Sequence, residues 1–308
     1  MIIHTDGLAK RYGKVQALAD LTMEVDAGEV FGFLGPNGAG KTTAVKLLLG
    51  LARPTSGQAT VLDAPIGDRR ARRRIGYLPE LFRYQPWLNA REVLALHARL
   101  RGGTDGSRHA LDAILDEVGL AERAEDAVGG FSKGMQQRLG LGVALLGGPD
   151  LIVLDEPTSA LDPVGRADVR AIIRRLRDAG ATVFLNSHLL TEVERVCDRV
   201  AIVDRGRVLA SGRLDDLLGG SAVRFHVTGL ADRGPALLAP YGRPRLVDAD
   251  WIVVDEMDVA RIPAAVATLV AAGGEIHAVD PGRASLEDRY FELTRGDLDA
   301  APAGGPRP

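Results

Sequence analysis

EVFGFLGPNGAGKTT, residues 29–43, joins an apolar run of strand length to a glycine-rich turn and the first residues of a helix. The pattern Gly, four residues, Gly-Lys-Thr between a strand and a helix is that of a loop built around phosphate. Gly35, Gly38 and Gly40 can take backbone conformations closed to residues with a β-carbon. A loop of Gly35, Pro36, Asn37, Gly38, Ala39 and Gly40 can therefore turn its N–H groups inward around phosphate oxygens. The helix that follows points its positive dipole end at the same anion. Lys41 is then placed to reach β- and γ-phosphates, and the hydroxyl of Thr42, followed by Thr43, to ligate magnesium.

Working outward, DLIVLDE at 150–156 and ATVFLNSH at 181–188 repeat the apolar run without alternation, which predicts strands buried on both faces. Helical patterns over 41–49, 132–146 and 164–178 separate these runs. The economical reading is a parallel sheet covered by helices. LTMEV at 21–25 and RVAIVDRGRVLASG at 199–212 predict antiparallel pairing, the second as a hairpin around Arg205 and Gly206. Asp155 and Glu156 close a hydrophobic strand, the end of a parallel sheet where ligands collect. There Asp155 can hold magnesium, and Glu156 can polarise a water for attack on a phosphate.

The whole set resembles the nucleotide-binding subunit of an ATP-binding cassette (ABC) transporter over residues 1–220. FSKGMQQR at 131–138 resembles the signature motif, SALD at 159–162 the D-loop, and His188 the switch histidine. KRYGKVQAL puts Tyr12 where the family stacks a ring on adenine. The resemblance implies ATP and Mg2+ as cofactors, with Tyr12, the phosphate loop, Ser132, Lys133, Gly134 and Asp162 on the nucleotide. It implies Glu156 and His188 in catalysis, and Thr42, Asp155 and Glu80 toward the metal. Ser132 is also a good helix N-cap, so its hydroxyl and the amides of Lys133 and Gly134 make a second anion site. In the family that site faces the γ-phosphate of the opposite subunit, which makes a second ATP-binding subunit a partner.

Three positions depart from the family's commonest form: Lys133 where Gly is usual, Met135 where Gln is usual, and Glu80 where many members have Gln. GYLPE and the later ASLEDRYFELT resemble the drug- and polymer-exporting branch. The implied role is an ATPase that drives an integral-membrane permease outward from the cytoplasmic face of the membrane, bound there peripherally. The implied fold class is α/β: a P-loop NTPase core with an antiparallel β subdomain, an inserted helical subdomain at about 80–140, and a small α+β domain at 221–295. The alternative is a soluble ABC-type ATPase acting on nucleic acid or ribosomes. No heptad run or second cassette supports it, so no nucleic acid partner is expected. A clamp that does not hydrolyse is argued against by Glu156.

Composition agrees with a well-cored protein: 308 residues, 46% hydrophobic and 26% charged. The net charge of −3 provides no overall positive field for polyanions. The single cysteine, Cys197, cannot form an internal disulfide, which points to a reducing compartment. Neither a secretory leader nor an apolar run of membrane-spanning length is evident. RRARRR at 69–74 predicts one face of a short solvated helix ahead of contact with lipid headgroups or nucleic acid, and LFRYQPWLNA at 81–90 lies where the family meets its membrane subunit, with Trp87 open between that contact and packing against its own helical subdomain. His97 and His109 are expected on the surface. Within 221–295 the expectation is strands at 222–228, 245–255 and 274–279 and helices at 260–271 and 285–294. LLGGS at 217–221 is expected as the joint, and 296–308 as an unstructured tail.

Overall fold

The computed structural model describes residues 1–293 apart from 103, 104, 160, 219–221, 231, 232, 249, 283, 284, 288 and 292. The chain divides into two compact units, Met1–Gly212 and Arg213–Pro308. Part of the expected joint, and the whole expected tail, lie outside the described residues.

The first unit holds β1 (Ile3–Tyr12), β2 (Val15–Val25), β3 (Val30–Leu34), α1 (Lys41–Leu48), β4 (Ser56–Val61), β5 (Ala64–Pro65), α2 (Arg69–Arg73) and β6 (Ile75–Leu78). It continues with α3 (Ala90–Arg101), α4 (Arg108–Glu117), α5 (Lys133–Leu145), β7 (Leu151–Asp155), α6 (Pro163–Asp178), β8 (Thr182–Ser187), α7 (Leu190–Glu194), β9 (Arg199–Asp204) and β10 (Arg207–Arg213). One ten-stranded sheet runs β5-β4-β1-β2-β10-β9-β3-β8-β7-β6.

Five of those strands, β9, β3, β8, β7 and β6, are mutually parallel. Every residue of β3, β7 and β8 is buried, which is why their sequences are continuous apolar runs rather than alternations. Phe184 stacks on Phe31 at a ring distance of 5.9 Å and lies tilted against Phe33 at 5.4 Å. The other end of the sheet, β2, β1, β4 and β5, is antiparallel and alternates. The β9–β10 hairpin stitches the halves together, since β10 pairs in parallel with β2 at Arg207 and Asp20. Its tip, Arg205 at φ 46° and Gly206 at φ 76°, has two successive left-handed residues, the geometry of a tight hairpin turn. Gly206 N donates to Ala39 O at 2.9 Å, so the hairpin tip braces the phosphate loop.

Helices α3, α4 and α5 form the inserted helical layer. Asn89 and Glu92 cap α3 reciprocally, as the spacing in NAREVL allows. Gly76 lets β6 and α5 touch: a β-carbon there would lie 2.1 Å from Ala144 O. One expectation is corrected here. His97 is half-buried with its ring 5.6 Å from Tyr84, because the aromatic run before α3 folds back on the helix; His109 is exposed as expected.

The second unit contains α8 (Leu214–Leu217), β11 (Val223–Thr228), α9 (Arg233–Leu238), β12 (Arg243–Asp248), β13 (Trp251–Asp255), α10 (Ile262–Ala271) and β14 (Glu275–Asp280). Its sheet runs β12-β13-β11-β14 with each neighbouring pair antiparallel, the split βαβ arrangement made by a βαββαβ chain. Val223, Phe225 and Val227 of β11 pack with Ile252, Val254, Ala265 and Leu269 in a core of their own. The single strand expected at 245–255 is a hairpin of two strands, and α9 was not expected. Gly and Pro inside RGPALL read as a turn, yet Gly234 lets that turn of helix close on Ile252. Of the helix expected at 285–294, the described residues 286, 287, 289–291 and 293 are helical and Ser285 is not.

Candidate functional site

The phosphate loop lies between β3 and α1. Gly38 and Gly40 have φ of 85° and 99°, and a β-carbon on Gly35 or Gly40 would come within 2.2 Å of Val203 O or 2.4 Å of Ala17 O. Only glycine fits at 35 and 40. Gly40 is the N-cap of α1 and provides no side chain to it, so the first amides of the helix keep their donors for an anion. Lys41 is buried, and its Nζ donates to the carbonyls of Gly35 at 2.7 Å and Pro36 at 3.2 Å. An ammonium has three protons, so two fix the group over the loop and one remains. Burial lowers the Lys41 pKa, while the charges of Glu156, Asp155 and Glu80 act against that fall. Three strand ends of the sheet thus bring Lys41, Asp155, Glu156 and Glu80 into one electrostatic cluster.

Asp155 ends β7, directly opposite Asn186 of β8 in the parallel register. Asn186 Nδ2 donates to Asp155 Oδ1 at 2.5 Å, and the Tyr77 hydroxyl also bonds this carboxylate. Burial raises the Asp155 pKa and Glu80 adds to the rise, whereas the Asn186 hydrogen bond, Lys41 and Tyr77 lower it. Burial and the Asp155 charge push the Tyr77 phenol up to about 12. Neither Asn186 nor Tyr77 was singled out from the sequence. The available signal was a polar side chain inside each of two apolar strands, ATVFLNS and IGYL.

Glu156 leaves the strand at φ 53°, a left-handed conformation rare for a residue with a β-carbon. Its N–H donates to Asn186 O at 2.9 Å, which holds the turn. Oε1 lies 2.8 Å from His188 Nδ1, and Oε2 is buried with no hydrogen-bond partner among the described residues. A carboxylate held by one oxygen and open at the other can accept a proton.

The remaining candidates gather elsewhere. Ser132 caps α5, accepting from Met135 N at 3.2 Å, and Asp162 caps α6, accepting from Gly165 N at 2.8 Å. Ser132, Lys133, Gly134, Arg138, Asp162 and Asp168 line one cavity of 390 Å³ whose walls include no residue of the phosphate loop. The Ser132 oxygen accepts in the cap while its proton stays available to an anion. The Asp162 carboxylate, by contrast, is engaged within its own helix. Tyr12 is 47% exposed at the end of β1, with Lys10 Nζ 4.9 Å from the ring centre. Trp87 is 74% exposed.

The donors near Lys41 suit magnesium: Thr42, Asp155 and Glu80 provide hard oxygens, and two carboxylates whose charges oppose each other are relieved by a divalent cation. Among the described residues no group of three or more His, Cys, Asp or Glu could hold a metal by itself.

The sequence profile of the ABC transporter family matches residues 18–159. The chain is 46% identical over 209 residues to an uncharacterized ABC transporter ATP-binding protein of Synechocystis, a match that covers 67% of this chain and 59% of that one. It therefore spans about six tenths of that relative's length. With the bacitracin transport ATP-binding protein of Bacillus licheniformis it shares 41% identity over 70% of this chain and 71% of the relative. A solved ATP-binding subunit of an ABC transporter superposes with a TM-score of 0.63 at 32% identity, covering 70% of this chain and 92% of that chain. With 41% identity over 71% of the bacitracin transport relative and 32% identity to a solved ATP-binding subunit, the chain belongs to the ABC transporter family, among its ATP-binding proteins.

Proposed function

We propose that this chain hydrolyses Mg-ATP at a site completed by a second copy, and that the cycle drives an integral-membrane permease in the direction of export. The observation that carries the reading is Glu156: one carboxylate oxygen is held by His188, the other is buried and open, and Lys41 and Asp155 belong to the same charged cluster. The loop amides and the Lys41 ammonium bind the β- and γ-phosphates. Glu156 Oε2 takes the proton of the attacking water, and His188 holds the carboxylate in line. Magnesium, when bound by Thr42, Asp155 and Glu80, supplies positive charge to the phosphate oxygens.

The cavity headed by Ser132 supports the two-copy reading, because no residue of the phosphate loop lines it. In this arrangement Ser132, Lys133 and Gly134 of one copy meet the γ-phosphate held by the other, Asp162 shapes the turn beside them, and Tyr12 stacks on the adenine. Exposed Trp87 and Leu81 next to Glu80 provide an apolar surface for the permease. Among the described residues no helix is long and apolar enough to cross a membrane, so the proposed placement is peripheral, on the cytoplasmic face, through that partner. The bacitracin transport relative supports a transport role, and GYLPE supports export.

Replacing Glu156 by Gln is the experiment. The variant is expected to bind ATP, to lose hydrolysis by about a hundredfold or more, and to accumulate as an ATP-bound dimer by light scattering. A variant that hydrolyses normally, or stays monomeric at saturating ATP, overturns the site or the dimer. Co-purification with a polytopic membrane protein tests the partner; stable binding to ribosomes or DNA in its place reverses that part of the reading.

A further inference from the structure

The basic run RRARRR makes more than a solvated face. Arg69, Arg72 and Arg73 of α2 and Arg101 at the end of α3 converge with Ile75 around a pocket of 370 Å³. No carboxylate is among the described residues that line it. Two of the guanidinium groups, those of Arg72 and Arg101, are held by backbone carbonyls instead of acids. Arg101 Nη2 donates to Arg73 O at 2.7 Å and to Ile75 O at 3.2 Å, and Arg72 Nη2 to Gly50 O at 3.0 Å. Charge pairing stops at the pocket's edge: Arg74, the next residue, is taken by Asp150 at 2.7 Å. The nearest acid in sequence, Asp68, is engaged in capping α2 through the N–H groups of Arg70 and Ala71. Arg101 is half-buried, and burial lowers its pKa, so this positive charge is kept where solvent screens it least.

Four guanidinium groups gathered without counter-charge repel one another, and the arrangement costs free energy unless an anion offsets it. Guanidinium forks match the paired oxygens of a phosphoryl group, which carries enough charge to offset several of them. We propose that this pocket binds a phosphoryl group bearing more than one negative charge, at an anion site separate from both the phosphate loop and Ser132. Carbonyl anchoring preorganises the Arg72 and Arg101 forks, so less side-chain freedom is lost there on binding. The phosphoryl group can belong to a soluble phosphate or to an anionic lipid headgroup.

The test uses the full chain with Lys41→Ala, so that the phosphate loop contributes little. Pyrophosphate is titrated by calorimetry into this protein and into the same protein carrying Arg69→Gln or Arg101→Gln. Each substitution is expected to weaken binding about tenfold or more, the loss of one charge-assisted hydrogen bond. Arg69 is exposed, so its variant keeps the test open if the Arg101 variant fails to fold. In a parallel arm the proteins are sedimented with phosphatidylcholine vesicles with or without phosphatidic acid, whose phosphomonoester carries up to two charges. Pelleting only when phosphatidic acid is present, lost on Arg69→Gln, supports the site with lipid as its source. Arginine-dependent pyrophosphate binding without pelleting supports it with a soluble phosphate. Absence of both, or binding that Arg69→Gln leaves unchanged, overturns the proposal.

Discussion

At Glu156 the backbone sits at φ 53° and the Oε2 atom is buried without a partner among the described residues. A β-carbon residue in this region costs about 1–2 kcal/mol, and an unsatisfied buried polar atom about 1–3 kcal/mol. Against these, glycine loses about 0.5–1 kcal/mol through its greater freedom when unfolded. Glu156→Gly is therefore expected to raise stability by about 1 kcal/mol in urea denaturation while abolishing hydrolysis. A less stable Glu156→Gly protein would show that the strain account is wrong. Asn186→Ala should have the opposite sign. It removes the 2.5 Å donor from buried Asp155 and is expected to cost about 1–3 kcal/mol by the same measurement. The phosphate loop and the acidic pair were legible because their chemistry is local in sequence. Asn186 and Tyr77 were not, since each matters only through a strand neighbour far away in the chain.

Strands β3, β7 and β8 were legible as elements because burial on both faces leaves unbroken apolar runs in them, VFGFL, LIVL and VFL. The helix start at Ser132 was legible as a cap, and Ser132 caps as expected; Asp162 caps α6 as well, a role its reading within SALD did not include. Close approaches between elements were not. Gly76 appears in sequence as one apolar-strand residue among others, yet the Ala144 carbonyl of α5 would lie 2.1 Å from its β-carbon. Because the obstacle is backbone, Gly76→Ala is expected to destabilise by about 1–3 kcal/mol and to shift the Phe82–Gly140 contact beneath α5. Thermal melting gives the first quantity, and the change in near-ultraviolet aromatic signal the second. An unchanged melting temperature would show that α5 rides on β6 more loosely than the geometry requires.

Two cores underlie the two units, one around Phe31, Phe33 and Phe184 and one around Phe225, Ile252 and Leu269. Each unit has its own sheet and buries its own apolar faces. Calorimetry of the full chain is expected to resolve two transitions, and residues 1–212 expressed alone should keep one of them together with ATP binding. A single transition, or an insoluble 1–212 fragment, would mean that the units stabilise one another. The sequence by itself determined the strand-loop-helix cradle, the acidic strand end and the existence of a second, differently patterned region. Periodicity, glycine chemistry and capping all act within a few residues. Only the tertiary structure decided that β10 would join two sheet halves, that Asn186 would hold Asp155, and that four arginines from two helices would share a pocket. Those outcomes depend on which distant segments pair and pack, and in this chain no local pattern carries that information.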